Sequence, residues 1–169
     1  MTTTRDVMTS ADAARSRAGD AKTHATEALS RAYELTEEAA GHGWNGVAAS
    51  MRQAHDALEA VVASLEEADE AADGTARMLA DIAERSSSSD VAERFAGVLQ
   101  ELDRMRGALD AAAGGVDDAR QACHRAGEPR ELLGMLHSVS EGLDAARQGA
   151  EDAREKADSE RQEAENWGN

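Results

Sequence analysis

The stretch from residue 44 to residue 82, WNGVAASMRQAHDALEAVVASLEEADEAADGTARMLADI, decides the fold. Every seventh position reads Trp44, Met51, Leu58, Leu65, Ala72, Leu79, and three residues after each stand Val47, Ala54, Val61, Ala68, Thr75, Ile82. Residues repeating in this three-then-four spacing line one stripe of a helix, and Thr75 is the single polar member. A strand cannot keep that period, because its side chains alternate faces at every second residue.

The same spacing recurs on both sides. Towards the N-terminus it is held almost wholly by alanine: Val7, Ala14, Ala21, Ala28, Leu35, with Ala11, Ala18, Ala25, Ala32, Ala39. Towards the C-terminus it restarts as Phe95, Leu102, Leu109, Val116, Cys123, with Val91, Val98, Met105, Ala112, Ala119. A last run is Leu132, Val139, Ala146, Ala153, with Leu136, Leu143, Ala150, Ala157. Leu58, Leu65, Leu102 and Leu109 are the expected centre of the core.

The breaks between runs coincide with helix punctuation. Gly41-His42-Gly43 ends the first segment, and Asn45 is offered as the N-cap of the second. Ser86 to Ser89 separate the second and third, with Asp90 and Glu93 placed as a capping pair. Gly127 ends the third and Pro129 starts the fourth near its first helical position. The predicted helices therefore run near 5–40, 46–85, 90–126 and 129–164, with Glu163 to Asn169 fraying. Short connections make sequential helices antiparallel. The fold class is all-α: four long antiparallel helices, as a helical bundle or as two coiled-coil hairpins. The domain reading is one bundle over 1–169, with sub-units 5–85 and 90–165.

Composition bears on function mainly by exclusion. The 169 residues carry 18 basic and 34 acidic side chains, a net charge of −16. Nucleic acid is disfavoured as a partner, because its phosphates require Lys and Arg. Docking on an anionic membrane is disfavoured for the same reason. No run of about 18 apolar residues is present, so no membrane span is expected. No signal peptide is visible between Met1 and Ser10, so the expected location is the cytoplasm, or outside the cell by a route that needs no Sec signal. Only Lys22 and Lys156 are lysines, while Arg, Ala, Gly and Asp abound. That bias is what a GC-rich bacterial genome imposes. Large aliphatic residues and Phe number 22 against 37 alanines. Without the heptads, so few would signal disorder. With them, they describe a thin core, which self-association is expected to supplement.

Chemistry-bearing groups are sparse. Cys123, His124 and His137 are candidates for a zinc site, but no paired Cys or His spacing supports one, and Cys123 falls on the seam as a small buried hydrophobe. The carboxylate pairs Glu66-Glu67, Asp69-Glu70, Asp117-Asp118 and Glu151-Asp152 fall off the seam and read as a solvated face. No catalytic residue, metal or cofactor is assigned. The structural or interaction candidates are Trp44, Asn45, Gly46, Gly114 and Gly115. The Gly114-Gly115 pair, inside the third helix, is expected either to bend it or to admit a neighbouring helix closely.

Trp44-Asn45-Gly46, between two helices of about 40 residues, resembles the Trp-x-Gly family of helical-hairpin proteins exported by type VII secretion. The resemblance covers residues 5–85. It implies that Trp44 and Gly46 form the hairpin bend, and it assigns no catalytic group. The family's export signal, a tyrosine followed at the fourth position by an acid near the end of the second helix, has no counterpart there. The sole tyrosine is Tyr33, in the first helix, with Glu37 four residues on. A plainer reading has Trp44 plugging the end of the bundle and Gly46 relaxing the turn. The functional expectation is a non-enzymatic, acidic interaction or assembly scaffold that binds a protein partner or itself. The alternatives are a Trp-x-Gly-like secretion substrate or its binding partner, and a metal- or cofactor-binding four-helix bundle.

Overall fold

The computed structural model describes residues 3–83 and 87–167. They form four helices: α1 Thr4–Gly41, α2 Asn45–Ala83, α3 Ser88–Arg125 and α4 Arg130–Trp167. At 1.5 Å per residue each is roughly 57 Å long. The packed pairs are α1 with α2, α2 with α3, α3 with α4, and α4 with α1. The chain is therefore a closed, antiparallel four-helix bundle, with the α1–α2 and α3–α4 turns at one end. The start of α1, the end of α2, the start of α3 and the end of α4 are at the other.

The seams form the core. Leu58, Leu65, Leu102 and Leu109 are all buried, as are the alanines of α1 from Ala11 to Ala32 that lie on its stripe. Thr75, the polar exception, is fully buried and donates its hydroxyl to the Ala71 carbonyl one turn back. Thr36 does the same to Ala32. Each intruding hydroxyl is thus satisfied within its own helix, which removes the penalty of burying it. Phe95 is the one buried aromatic ring among the described residues and sits in the section of core at the end opposite the two turns, beside Leu79, Val98 and Leu102.

Several local expectations are corrected. α1 starts at Thr4, capped by Thr3, whose hydroxyl accepts the Asp6 N–H while the Asp6 carboxylate accepts the Thr3 N–H. The Thr3 hydroxyl first, and the Thr3 N–H second, donate to the Asp6 carboxylate and hold it below its usual range. Asn45 is not a cap: the Trp44 carbonyl already accepts the Ala48 N–H, so α2 begins one residue earlier than expected. The cap of α3 is Ser87, which accepts the Asp90 N–H. The Pro129 carbonyl accepts the Leu133 N–H, so Pro129 precedes the first helical residue. α4 remains helical from Glu163 through Trp167, where fraying was expected. The expected end of α2 at residue 85, and Ser86, lie outside the described residues.

α3 runs unbroken through Gly114-Gly115. The two glycines differ. A Cβ on Gly114 would meet nothing within 4 Å, whereas one on Gly115 would stand 2.7 Å from Val61 Cγ2 and 3.3 Å from the Ala57 carbonyl oxygen. Gly115 is therefore where α3 approaches α2. The close approach of α1 to α4 uses glycines that the sequence reading passed over. A Cβ on Gly149 would lie 3.1 Å from Ala14 Cβ and 3.2 Å from its Cα; on Gly142, 3.0 Å from Ala21 Cβ and 3.3 Å from its Cα. The two pairs are one heptad apart on each helix, which defines a single antiparallel register.

The adjacent glycines of α3 give substitutions of opposite sign. Gly114→Ala should stabilise by up to about 1 kcal/mol, the helix-propensity difference with no steric penalty. Gly115→Ala should destabilise by about 1–3 kcal/mol, because β-branched Val61 and the α2 backbone cannot yield without moving the helix. Thermal melts of the two variants beside the parent check both signs.

Candidate functional site

The end of the bundle that holds the two hairpin turns carries the most distinctive side chain. Both turns close in the same way. At the end of α1, Gly43 adopts φ +75°, the Trp44 N–H reaches back to the Ala39 carbonyl at 2.9 Å, and the Gly43 N–H to Ala40 at 3.0 Å. At the end of α3, Gly127 adopts φ +93°, the Glu128 N–H reaches the Cys123 carbonyl at 3.0 Å, and the Gly127 N–H reaches His124 at 3.4 Å. These bonds satisfy the carbonyls a helix end leaves over. The left-handed residue in the first turn is thus Gly43. Gly46 lies inside α2 with open space around it, so it does not relax the bend.

Trp44 does not plug the bundle end. It is 59% exposed, stacked on the His42 ring with centroids 4.8 Å apart and planes 26° apart. Beside it lies an open groove of about 380 Å³, lined by Leu35, Ala39, Val47, Met51, Ala126 and Pro129, with Glu38 and His42 also on its wall. The groove therefore draws on α1, α2 and the α3–α4 turn together, which no single segment of sequence displays.

The other candidates are not brought together. Cys123 is fully buried in the core, and burial pushes its thiol up to about 11. His124 pairs with Glu128 and His137 with Glu141, each four residues along its own chain segment. The seam thus points Cys123 away from both histidines. Elsewhere, His55, Asp56 and Glu59 have potential ligand atoms within 4.8 Å of one another on one turn of α2. The two carboxylates are exposed and all three residues come from one helix, so no second element shapes a cavity for an ion. The carboxylate pairs on α2 form ion pairs across helix boundaries: Arg15 with Asp69 and Asp73, Lys22 with Glu66, Arg104 with Glu67 and Glu70. All are solvent-exposed, where each contributes at most about 1 kcal/mol.

A polar cluster that the sequence did not reveal joins α1 to α4. Lys156 Nζ donates to Ser10 Oγ at 2.8 Å and to Asp152 Oδ2 at 2.7 Å, and Ser10 also donates to Asp152. The carboxylate of Asp152 is held below its usual range by Lys156 first and Ser10 second. A serine beside a lysine can be a nucleophile and its base, but here Lys156 donates to the serine and the serine hydroxyl donates to Asp152, so its proton is aimed at the carboxylate and not at the amine. The cluster is read as a register lock beside the Ala14–Gly149 contact.

No family model, curated protein or solved structure matches this chain.

Near the chain termini, Glu160 has a buried oxygen, Oε1, that meets no hydrogen-bond donor. Desolvation, then Glu163 and Asp6, raises its carboxyl above the ordinary 4.5. A raised acid binds its proton more tightly when folded, so its contribution is favourable below the unfolded value and is lost as pH rises through the folded one. Glu160→Gln should therefore melt higher than the parent at pH 7, and the difference should shrink as the pH approaches 4. Paired melts across that range check it.

Proposed function

We propose that this chain is a non-enzymatic helical-bundle module that works by binding another protein at the end formed by the α1–α2 and α3–α4 turns. One observation carries this reading. The seams along the bundle are covered within one chain, yet Trp44 stands more than half exposed on a closed, hydrogen-bonded turn beside an apolar groove. Tryptophan is enriched among residues that dominate binding energy, and a rigid turn presents it with little ordering entropy to lose. The acidic, ion-paired outer faces fit a scaffold; in the surface pocket lined by Ser140 and His137, Arg120 donates to the serine at 2.6 Å and His137 pairs with Glu141. The alanine seams that suggested self-association are already occupied by α4 and its neighbours, so association between copies would have to use outer surfaces such as this end or exposed Met8, Tyr33 or Trp167. A photoreactive side chain installed at position 44 should capture a partner of discrete mass in the source cells, and one at exposed Gln148 should not. Equal capture, or none, at both positions would remove the reading.

A second reading is a Trp-x-Gly-like substrate of type VII secretion. It is supported by the placing of Trp44 at the bend between helices of 38 and 39 residues, with Asn45 and Gly46 opening the second helix. Against it, the apolar seam of this hairpin is already covered by α3 and α4, which leaves no open stripe for a separate hairpin partner. Deleting the type VII ATPase should abolish release of the protein if this reading holds; undiminished release excludes it.

A further inference from the structure

The ends of α1 and α3 share one pattern of closing hydrogen bonds, although the second turn is one residue longer and adds Glu128 at φ +60°, so the charges of the two helix ends can be compared. The last turn of α3 carries two basic residues, His124 and Arg125, the kind that a helix C-terminus favours. The last turn of α1 has no basic residue and carries Glu37 and Glu38 instead. Acids there oppose the macrodipole and weaken the helix end. Glu34, one turn earlier, adds a third acid. Arg31 is the cation within reach, and Glu34, Glu38 and Glu131 surround it, at 2.9, 3.5 and 3.0 Å. Glu37 meets no cation among the described residues. The acidic turn is also the one that carries exposed Trp44, and Glu38 is on the wall of the groove. Residues that break a local stability rule mark places where the chain serves something besides its own folding.

We infer that the Trp44 groove receives a short segment of a partner protein in which a large apolar side chain is flanked by Lys or Arg. This inference rests on the interaction reading above and names the partner's chemistry. The volume sets the scale: about 380 Å³ is at the small end of ligand pockets, enough for a side chain or two and too small for a folded surface. The lining sets the anchor, because Leu35, Val47, Met51 and Pro129 offer it no hydrogen-bond partner from their side chains. The rim sets the flanks. Glu38, on the groove wall, shares the single cation Arg31 with Glu34 and Glu131, so a basic flank would bring this acidic group a second counter-charge, and the indole, with more than half its surface in solvent, offers a cation its π-face. A second copy of this chain is the poorer occupant. Its other exposed rings are Tyr33, beside Glu34 and one turn before Glu37, and Trp167, after Glu163 and Glu165, so either would bring acid to an acidic rim.

The test uses the full chain with Trp167→Phe, which leaves Trp44 as the single indole. The probe is a short capped peptide with a central Phe between lysines, labelled for anisotropy and titrated at about 0.15 M salt, where charges beyond roughly 8 Å are screened. The expected result is a shift in Trp44 emission and binding at least about tenfold tighter than for the same peptide with Ser in place of Phe or Glu in place of Lys. Trp44→Ala should lose the binding, and Glu38→Gln should weaken it several-fold, with melts like the parent's in each case. Equal binding of the Ser peptide would show attraction to the acidic surface alone and overturn the inference. So would binding that survives Trp44→Ala. If, without peptide, the emission shifts with protein concentration and sedimentation shows a dimer that Trp44→Ala abolishes, the occupant is a second copy. If the peptides fail while position 44 still captures a partner in cells, the assigned chemistry falls and the interaction reading stands. If position 44 captures nothing, that reading falls as well.

Discussion

The contact of α1 with α4 closes the bundle, and the rest of the structure depends on it. The other three packed pairs are consecutive in the chain and are brought together by their connections. α1 and α4 are separated by the whole chain and held by side chains alone. Their seam has little apolar bulk: alanines on one side, and Gly142 and Gly149 facing Ala21 and Ala14 on the other. Methyl groups bury little area, so attraction across this seam depends on the closeness of the backbones. Glycine permits that closeness, and the Ser10–Asp152–Lys156 cluster fixes which residues meet.

Bulk and charge are divided accordingly. α2 and α3 carry most of the large core residues, from Met51 and Leu58 to Leu102 and Leu109, and fill the space that the alanine face of α1 leaves open. The excess acid stays on the outer faces, where cross-helix pairs with Arg15, Lys22 and Arg104 moderate the repulsion on α2. Such a bundle has few exposed apolar side chains along its length. Among these, Trp44 is set apart by the apolar groove it borders.

Much of this was legible in sequence because helical periodicity is a local property. Leu65, Phe95, Val139 and the alanines of α1 fell on their stripes through spacing alone, and each is buried as that spacing predicts. Trp44 occupied the same heptad position as Met51 and Leu58, yet it is exposed, because the helix has not begun there and the stripe does not extend into the turn. The caps were misplaced by one to three residues for a similar reason. Which carbonyl accepts the first N–H depends on the turn's dihedral angles, which residue preferences constrain only loosely.

By itself, the sequence determined the four helices, the stripe each one buries and the sign of the surface, since these follow from the order of residues along one chain segment. Only the tertiary structure decided which helices are neighbours, that Gly142, Gly149 and Gly115 are the sites of close approach while Gly114 is free, and that Trp44 lies over a groove shared with the α3–α4 turn. Those are relations between residues up to about a hundred and thirty positions apart. Heptads of equal length fit several antiparallel arrangements equally well, and the choice among them is made by steric fit at a few small residues, which no local period encodes.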